Sequence, residues 1–167
     1  MRITRKYELD MGHCLPDHDG KCYRPHGHRY VVEATVEAEL VLAGAERGMV
    51  VDFGRLKAAM EQIVGSYDHR FVMCEDDPRR EAMLDIFGAE GVATITDPPT
   101  AENLAQLWVE CLSAVLTVPL VGLRVYETPN CWAEWLPWEV ALTVEETEPA
   151  LVDRRIPDTP LIPDSGP

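Results

Sequence analysis

Alternation of apolar and polar residues along the chain predicts four main β-strands. The clearest case is residues 29–41, where valine, alanine and leucine occupy every second position and glutamate or threonine occupies most positions between them. Residues 2–10 alternate more loosely, and residues 120–128 and 138–144 follow the same two-residue period. Since successive side chains of a strand point to opposite faces, each of these strands has one face suited to a core.

Two other stretches have apolar residues three or four positions apart, which is the spacing of a helix face. The first runs from Phe53 to Ser66 and follows Asp52, a residue type that favours the N-cap position. The second carries apolar residues from Leu104 to Val115 and follows Thr100, which is also a suitable N-cap. We therefore predict two amphipathic helices.

The order of these elements predicts a single α+β domain, a four-stranded antiparallel sheet with two helices on one face. We expect this domain to span residues 1–147, followed by a loose tail rich in proline and aspartate at 148–167. Residues 74–99 are acidic and interrupted by proline and glycine, and this composition predicts a surface excursion, a segment that leaves the core of the domain. Within it, a short helix is expected near 81–87 and a short strand near 92–95.

Composition narrows the classes of function. The 167-residue chain has a formal net charge of −14, which argues against nucleic acid as a partner because phosphates require a basic surface. No apolar run approaches the roughly 20 residues of a transmembrane helix, so no membrane partner is expected. The N-terminus lacks the apolar segment of a signal peptide, and five scattered cysteines suit a reducing compartment, so we expect a cytoplasmic protein.

Four of the five histidines lie between positions 13 and 28, and this cluster indicates metal binding. In an extended strand, His26 and His28 would point to the same side, with Gly27 between them. His13 follows the first predicted strand, and pairing of the two strands would bring it beside the other two imidazoles. Three histidine ligands leave one position of a zinc ion open, as in catalytic zinc sites. The alternative is that these are surface histidines of a polar loop.

Two cysteines, Cys14 and Cys22, lie inside the same stretch. Lys21 and Arg24 flank Cys22, and cations beside a thiol favour its reactive thiolate form. Either cysteine could instead be a soft zinc ligand in a mixed site, or an inert buried thiol. The chain contains no Cys-x-x-Cys pair, so a structural zinc knuckle is not expected.

Three further side chains are candidates for proton transfer or ligand binding. Asp68 precedes His69, and a carboxylate can orient an imidazole and stabilise its cation if the two side chains meet. The alternative is a polar loop without chemistry. Glu127 lies in phase with the apolar residues of its predicted strand, where a buried carboxylate needs a partner. It is either a bidentate acceptor for a guanidine-like ligand such as a pterin, or the result of a phase slip at the strand end.

These motifs together resemble the 6-pyruvoyltetrahydropterin synthase superfamily, and in particular its 6-carboxytetrahydropterin synthase branch in the queuosine pathway. The resemblance covers most of the predicted domain. It rests on His13, Cys22 with His26-Gly27-His28, Gly48 to Phe53, Asp68-His69, Pro99 to Asn103, and Glu127-Thr128. The short spacing between Cys22 and His26 is similar to that of the carboxytetrahydropterin branch. The residues after His69 and the long segment 74–99 differ from compact members.

The resemblance implies the tunnelling fold, in which ββααββ subunits form an oligomeric barrel, as a trimer or a dimer of trimers. It implies a Zn²⁺ cofactor held by His13, His26 and His28. It also implies that the partner is a small pterin triphosphate, which is the substrate of the superfamily.

The resemblance further implies roles for residues around the metal. Cys22 would be the general base, and Asp68 with His69 would form a proton relay that reaches the site of a neighbouring subunit. Glu127 would anchor the pterin. Other substrate-binding residues would be Thr100 and Glu102.

The implied reaction converts 7,8-dihydroneopterin triphosphate to 6-carboxy-5,6,7,8-tetrahydropterin with release of acetaldehyde and triphosphate, so we expect a lyase. A second hypothesis is 6-pyruvoyltetrahydropterin synthase activity, in which triphosphate is eliminated without cleavage of a carbon–carbon bond. A third is a zinc- or pterin-binding homologue without turnover. Lys21 and Arg24 are candidates for triphosphate binding, and the alternative is that they are solvated loop charges.

Overall fold

Six strands and three helices provide most of the regular structure in residues 1–137, the part of the chain that the computed structural model describes. Two 3₁₀ turns lie at Lys21–Tyr23 and Gly65–Tyr67. The fold is α+β, as predicted. In chain order the elements are β1 (Arg2–His13), β2 (His26–Glu37), α1 (Phe53–Ile63), β3 (Phe71–Cys74), α2 (Arg80–Gly91), β4 (Val92–Ile95), α3 (Ala101–Val115), β5 (Leu120–Thr128) and β6 (Cys131–Trp135).

The strands form one mixed sheet in the order β4-β3-β1-β2-β5-β6. Its centre is the antiparallel β1–β2 pair, which stays in register from Arg2 opposite Glu37 to His13 opposite His26. On one side β5 and β6 continue the sheet antiparallel, while on the other side β3 and β4 run parallel to β1. The central hairpin therefore carries the predicted metal ligands to one end of the sheet.

One face of the sheet packs against α1 and α3. Val32, Ala34 and Val36 of β2 are fully buried on this face, as the alternation predicts, together with Leu56 of α1 and Trp108 of α3. Each large apolar side chain removed from water in this way stabilises the fold by about 1.5–3 kcal/mol. The opposite face is polar and carries the cross-strand ion pairs Arg2–Glu37, Lys6–Glu33, Arg29–Glu8 and Arg124–Glu134.

The sheet differs from the predicted four-stranded antiparallel arrangement in strand number and in the direction of β3 and β4. β3 was not predicted, because three of its four residues are buried and alternation is therefore absent. β6 was not predicted either, since it starts directly after the turn that ends β5. The strand predicted at 138–144 and the tail predicted at 148–167 lie outside the described residues.

The segment 74–99 contributes to the core, in contrast to the expected surface excursion. The helix and the strand predicted within it are present as α2 and β4. Val92 and Ala93 of β4 are buried, and Met83 of α2 packs with Cys14 in a second, smaller apolar cluster. The chain turns between the two parts of α2 at Gly88, which has a φ of 72°. The segment is thus a structural part of the domain.

The two predicted N-caps are confirmed. Asp52 Oδ1 accepts a hydrogen bond of 2.6 Å from the Gly54 amide, and Thr100 Oγ1 accepts one of 3.2 Å from the Asn103 amide. Each cap satisfies a backbone donor at the start of its helix. Within the described part of the chain, none of the helices combines the length and the apolar composition needed to span a membrane.

Candidate active site

Three histidines converge at one end of the β1–β2 hairpin. The register places His13 opposite His26, and His28 lies two residues later on the same face of β2. One nitrogen from each ring lies within 4.8 Å of the other two. Gly27 permits this close approach, because a Cβ at that position would lie only 3.0 Å from the carbonyl oxygen of Met11. The hairpin thus brings together the three imidazoles that the sequence predicts as ligands.

The hydrogen bonds of two imidazoles show that the cluster fits a cation. His13 Nδ1 lies 2.7 Å from the Pro99 carbonyl oxygen, and His26 Nδ1 lies 2.8 Å from that of Arg24. Carbonyl oxygens only accept, so each Nδ1 carries a proton, and the neutral form of each ring has its lone pair on Nε2. The two Nε2 atoms are nevertheless 3.1 Å apart. A positive charge between them removes the repulsion of the two lone pairs.

The spacing of these nitrogens suits zinc. Tetrahedral zinc with bonds of about 2.0–2.1 Å to imidazole places its ligand nitrogens roughly 3.3 Å apart. The 3.1 Å between His13 Nε2 and His26 Nε2 is close to this value. Carbonyl groups that fix the second ring nitrogen are also typical of histidine ligands to metals. The residues present therefore fit a divalent ion with three histidine ligands.

Burial keeps the ligand nitrogens available. His13 is 2% exposed, and its burial lowers its pKa from the usual 6.5 to about 4. The pKa of His28 is also lowered, again chiefly by burial. Imidazoles bind metals in their neutral form, so His13 needs no deprotonation at neutral pH.

A cleft of about 200 Å³ opens next to His13. Cys22 lies on its wall, on the 3₁₀ turn Lys21–Tyr23, and the backbone carbonyl of Cys22 accepts a 2.9 Å hydrogen bond from the Leu15 amide. The start of α3 forms another wall, where Pro99 also binds His13. The predicted site residues that line this cleft are His13, Cys22, Thr100, Glu102 and Glu127.

Glu127 faces the histidines from β5. Its Oε1 lies 3.9 Å from His13 Nε2, and its side chain is 27% exposed, so one edge of the carboxylate is open to the cleft. It shares a face of β5 with the buried Leu123 and Val125. The pairing of β5 with β6 shifts register between Tyr126 and Thr128, so Glu127 lies at an irregularity of the strand, as the alternative of a phase slip expects. Its carboxylate nevertheless faces the histidines.

Tyr30 also belongs to the site, and the sequence motifs do not include it. It is fully buried, and its hydroxyl lies 3.3 Å from both ring nitrogens of His13 and donates to Glu127 Oε1 over 3.5 Å. Burial, followed by the charge of Glu127, raises the pKa of Tyr30 and keeps it protonated. A signal was present, because Tyr30 continues the face of β2 that carries His26 and His28.

Asp68 and His69 form the predicted contact, but they lie away from the cleft that Cys22 lines. His69 Nδ1 lies 3.0 Å from Asp68 Oδ1, which also accepts from the Asp10 amide over 2.9 Å. Partial burial opposes ionisation of Asp68, but the hydrogen bonds from Asp10 and His69 outweigh it and lower the pKa of Asp68. His69 has a φ of 59°, its side chain is 78% exposed, and it lines a separate cleft of about 600 Å³ beside His28. Within one chain the pair does not share the cleft of Cys22.

The cysteines differ in their surroundings. Cys14 is buried, and burial raises the pKa of its thiol to about 11, so it remains protonated. Within residues 1–137, the group of side chains that could hold a metal contains His13, His26 and His28 but neither Cys14 nor Cys22. The mixed histidine and cysteine site considered from the sequence is therefore not formed in this structure.

Comparison with known proteins identifies the family. A family model described as 6-pyruvoyl tetrahydropterin synthase matches residues 2–137. The chain belongs to this family. A 6-carboxy-5,6,7,8-tetrahydropterin synthase of Rickettsia conorii is 33% identical over 139 residues, which cover 80% of this chain and 99% of that protein. A probable 6-carboxy-5,6,7,8-tetrahydropterin synthase of Halobacterium salinarum is 35% identical over 127 residues, which cover 75% of this chain and 79% of that protein.

Solved structures confirm the fold of the family. An uncharacterised protein of Wolinella succinogenes superposes with a TM-score of 0.71 at 22% identity and covers 81% of this chain and 97% of its own. The 6-pyruvoyl tetrahydropterin synthase of Caenorhabditis elegans superposes with a TM-score of 0.61 at 24% identity, over 82% and 95% of the two chains. The predictions of a tunnelling fold and of a lyase similar to 6-carboxytetrahydropterin synthases are thus confirmed.

Proposed function

We propose that this chain is a zinc-dependent 6-carboxytetrahydropterin synthase. It would convert 7,8-dihydroneopterin triphosphate to 6-carboxy-5,6,7,8-tetrahydropterin, with release of acetaldehyde and triphosphate. The observation that carries the proposal is the convergence of three imidazoles beside a cleft that also presents a thiol and a carboxylate. It is supported by a relative with this name, because this chain matches that relative over 99% of its length.

The metal would be held by His13, His26 and His28. A bound zinc ion supplies a Lewis acid that lowers the pKa of hydroxyl groups on the substrate side chain. His13 Nδ1 donates to the Pro99 carbonyl, and the Tyr30 hydroxyl packs against the ring 3.3 Å from both of its nitrogens, so these two groups hold the His13 ring in place. This support from a buried hydroxyl and a carbonyl keeps the ligand set preorganised.

Cys22 and Glu127 have complementary roles on the walls of the cleft. The Cys22 thiolate removes a proton from a substrate carbon as the general base. Glu127 accepts hydrogen bonds from the guanidine-like edge of the pterin, which orients the ring against the thiol. Thr100 and Glu102 contribute to the rim, where the start of α3 offers backbone donors to the substrate.

Asp68 and His69 would act from a second copy of the chain. In one subunit their exposed pair lies on a separate cleft, so a relay to the site of Cys22 requires assembly. We propose a homo-oligomer, a trimer or a dimer of trimers, in which β4 and β6, the outer strands of the sheet formed by residues 1–137, meet neighbouring copies. In this assembly His69, oriented by Asp68, exchanges protons with the substrate side chain.

We further propose that the product enters the biosynthesis of queuosine or another 7-deazapurine, in the cytoplasm. The relatives' name gives only the product, 6-carboxy-5,6,7,8-tetrahydropterin, and the pathway is what the resemblance of the motifs implies. The cysteines of the described residues are all free, which suits a reducing compartment.

The test is product analysis on the purified, zinc-loaded protein supplied with 7,8-dihydroneopterin triphosphate. Mass spectrometry should detect the 6-carboxy product, and a coupled assay should detect acetaldehyde. Cys22→Ala should bind zinc as the parent does but lose turnover, by about 100-fold or more, because a general base contributes that much. Cys111→Ala on α3 is the matched control and should keep full activity. Normal turnover by Cys22→Ala would exclude the base assignment.

The second candidate is 6-pyruvoyl tetrahydropterin synthase activity, favoured by the description of the matching family model. This reaction eliminates triphosphate but leaves the carbon skeleton intact. Triphosphate release without acetaldehyde would therefore select it over the first proposal. A protein that binds zinc but releases neither triphosphate nor acetaldehyde would be a homologue without turnover.

A further inference from the structure

A buried carboxylate outside the metal cluster lies in the segment between β3 and α2. Asp77 is only 3% exposed, and its side chain forms a two-point ion pair with Arg79. Arg79 Nε donates to Asp77 Oδ1 over 2.9 Å and Arg79 Nη2 donates to Oδ2 over 2.7 Å. The Arg79 amide also donates to Asp77 Oδ1, over 2.9 Å. The guanidinium is therefore held in one orientation.

The same guanidinium reaches the turn that carries Cys22. Arg79 Nη1 donates to the carbonyl oxygen of Tyr23, the residue after Cys22, over 2.5 Å. The Arg79 guanidinium also lies over the Tyr23 ring, 4.4 Å from its centroid. One arginine thus holds both the backbone and the side chain of the residue next to the thiol, across 56 positions of sequence.

The turn at Lys21–Tyr23 has few other contacts that could hold it. It is a single 3₁₀ turn without a buried residue and without a side-chain cap. The Leu15 amide holds the Cys22 carbonyl from one side, over 2.9 Å. The Cys14 thiol, next to Leu15, also contacts Asp77, at 3.6 Å. The two sides of the loop that carries Cys22 are therefore both held, one through the contact of Cys14 with Asp77 and the other through the contact of Tyr23 with Arg79.

We propose that Asp77 and Arg79, called here the Asp77–Arg79 clamp, position Cys22 against the substrate. The clamp acts through the turn and does not touch the reacting atoms, so its members are positioning residues. The inference rests on the proposed role of Cys22. A misplacement of a reacting group by about 1 Å can lower the rate by about 100-fold, so loss of the clamp affects the chemical step more than substrate binding.

The experiment compares Arg79→Ala and Arg79→Lys with the zinc-loaded parent. Lysine keeps the charge but has no planar fork, so it cannot bind Asp77 at two points, hold the Tyr23 carbonyl and stack on the ring together. Arg55→Ala is the matched control, because Arg55 forms an ion pair of 2.7 Å with Glu46 on another part of the domain. The measurements are kcat, KM, zinc content and the rate of Cys22 alkylation by iodoacetamide, followed site by site with mass spectrometry.

For Arg79→Ala we expect kcat to fall about tenfold or more, KM to change less than about threefold, and Cys22 alkylation to change about threefold or more. Arg79→Lys should lie between Arg79→Ala and the parent, while Arg55→Ala should match the parent. Zinc content should stay the same in all of them. Equal alkylation rates and equal kcat in Arg79→Ala and the parent would overturn the proposal, and so would an equal loss in Arg55→Ala.

Tyr23→Leu keeps the test decisive if Arg79→Ala does not fold. The Tyr23 side chain is on the surface, at 47% exposure, and its removal leaves the carbonyl contact in place. The proposal then requires kcat to fall and the rate of Cys22 alkylation to change, each by less than expected for Arg79→Ala, and no change in either would overturn it. Alkylation needs no substrate, so it tests the clamp even if the parent forms no product. A parent without product would contradict the proposed function alone.

Discussion

Metal binding should stabilise the fold by an amount that depends on all three histidines. The perturbation is the removal of metal with a chelator, followed by the return of zinc, in the parent and in His26→Ala. In the absence of a cation, the His13 and His26 lone pairs face each other at 3.1 Å, and a zinc ion relieves this contact. His13 is neutral at neutral pH, so zinc displaces no proton from it.

The magnitude follows from binding linkage. Zinc at 100 times its dissociation constant stabilises the folded state by about 2.7 kcal/mol. For a domain of this size each kcal/mol raises the melting temperature by about 2–4 °C, so the parent should gain roughly 5–11 °C. Loss of one of three ligands that weakens binding about 100-fold would leave about 0.4 kcal/mol at the same zinc concentration, a shift of roughly 1 °C.

The assay is thermal unfolding of chelator-treated protein with and without added zinc, at neutral pH, with metal content measured in parallel. His18→Ala is the matched control, because His18 lies in the same loop but is exposed, and its Nδ1 accepts a hydrogen bond of 2.8 Å from the Gly20 amide. The control should keep the full shift of the parent. A parent without a zinc-dependent shift, or a His26→Ala variant that keeps the whole shift, would refute the assignment of the ligands.

Two further predictions concern Glu127 and Asp77. Glu127→Gln keeps the shape of the side chain but loses its charge, so kcat/KM should fall about 10- to 100-fold with zinc content unchanged, because a charged hydrogen bond is worth about 1.5–3 kcal/mol. Steady-state kinetics that equal those of the parent would contradict a role in pterin binding. The Arg79 hydrogen bonds lower the pKa of Asp77 below the usual 3.8, so ionised Asp77 stabilises the fold above that pH and this stability is lost as the pH falls through the lowered pKa. Urea unfolding should show the advantage of the parent over Asp77→Asn shrinking as the pH is lowered from about 5 towards 3, and a difference independent of pH would contradict the ion pair.

Much of the sheet and part of the site could be predicted from local patterns. The two-residue period of β2 predicted that Val32, Ala34 and Val36 are buried, and all three are. The same period predicted that His26 and His28 share a face. Asp52 and Thr100 were recognised as N-caps, because capping depends on the residue and its immediate neighbours.

The missed strands show where local patterns fail. β3 is parallel to β1 and is paired with it across more than fifty residues, through contacts of Gly12 with Phe71 and of His13 with Val72. Parallel pairing depends on a crossover connection, and a short strand that is buried on both faces does not alternate. The contribution of segment 74–99 to the core was not predicted for a different reason. Its acidic and proline-containing sequence is typical of a surface segment.

The sequence by itself determined which residue types could bind a metal, donate a thiol and accept a pterin, because these are properties of single side chains and short spacings. The tertiary structure alone decided which of them meet. It placed Tyr30 against His13, it joined Arg79 to the turn of Cys22, and it separated His69 from that turn within one chain. Such contacts depend on strand register and on the packing of segments that are distant in the sequence, and local sequence patterns contain no information on either.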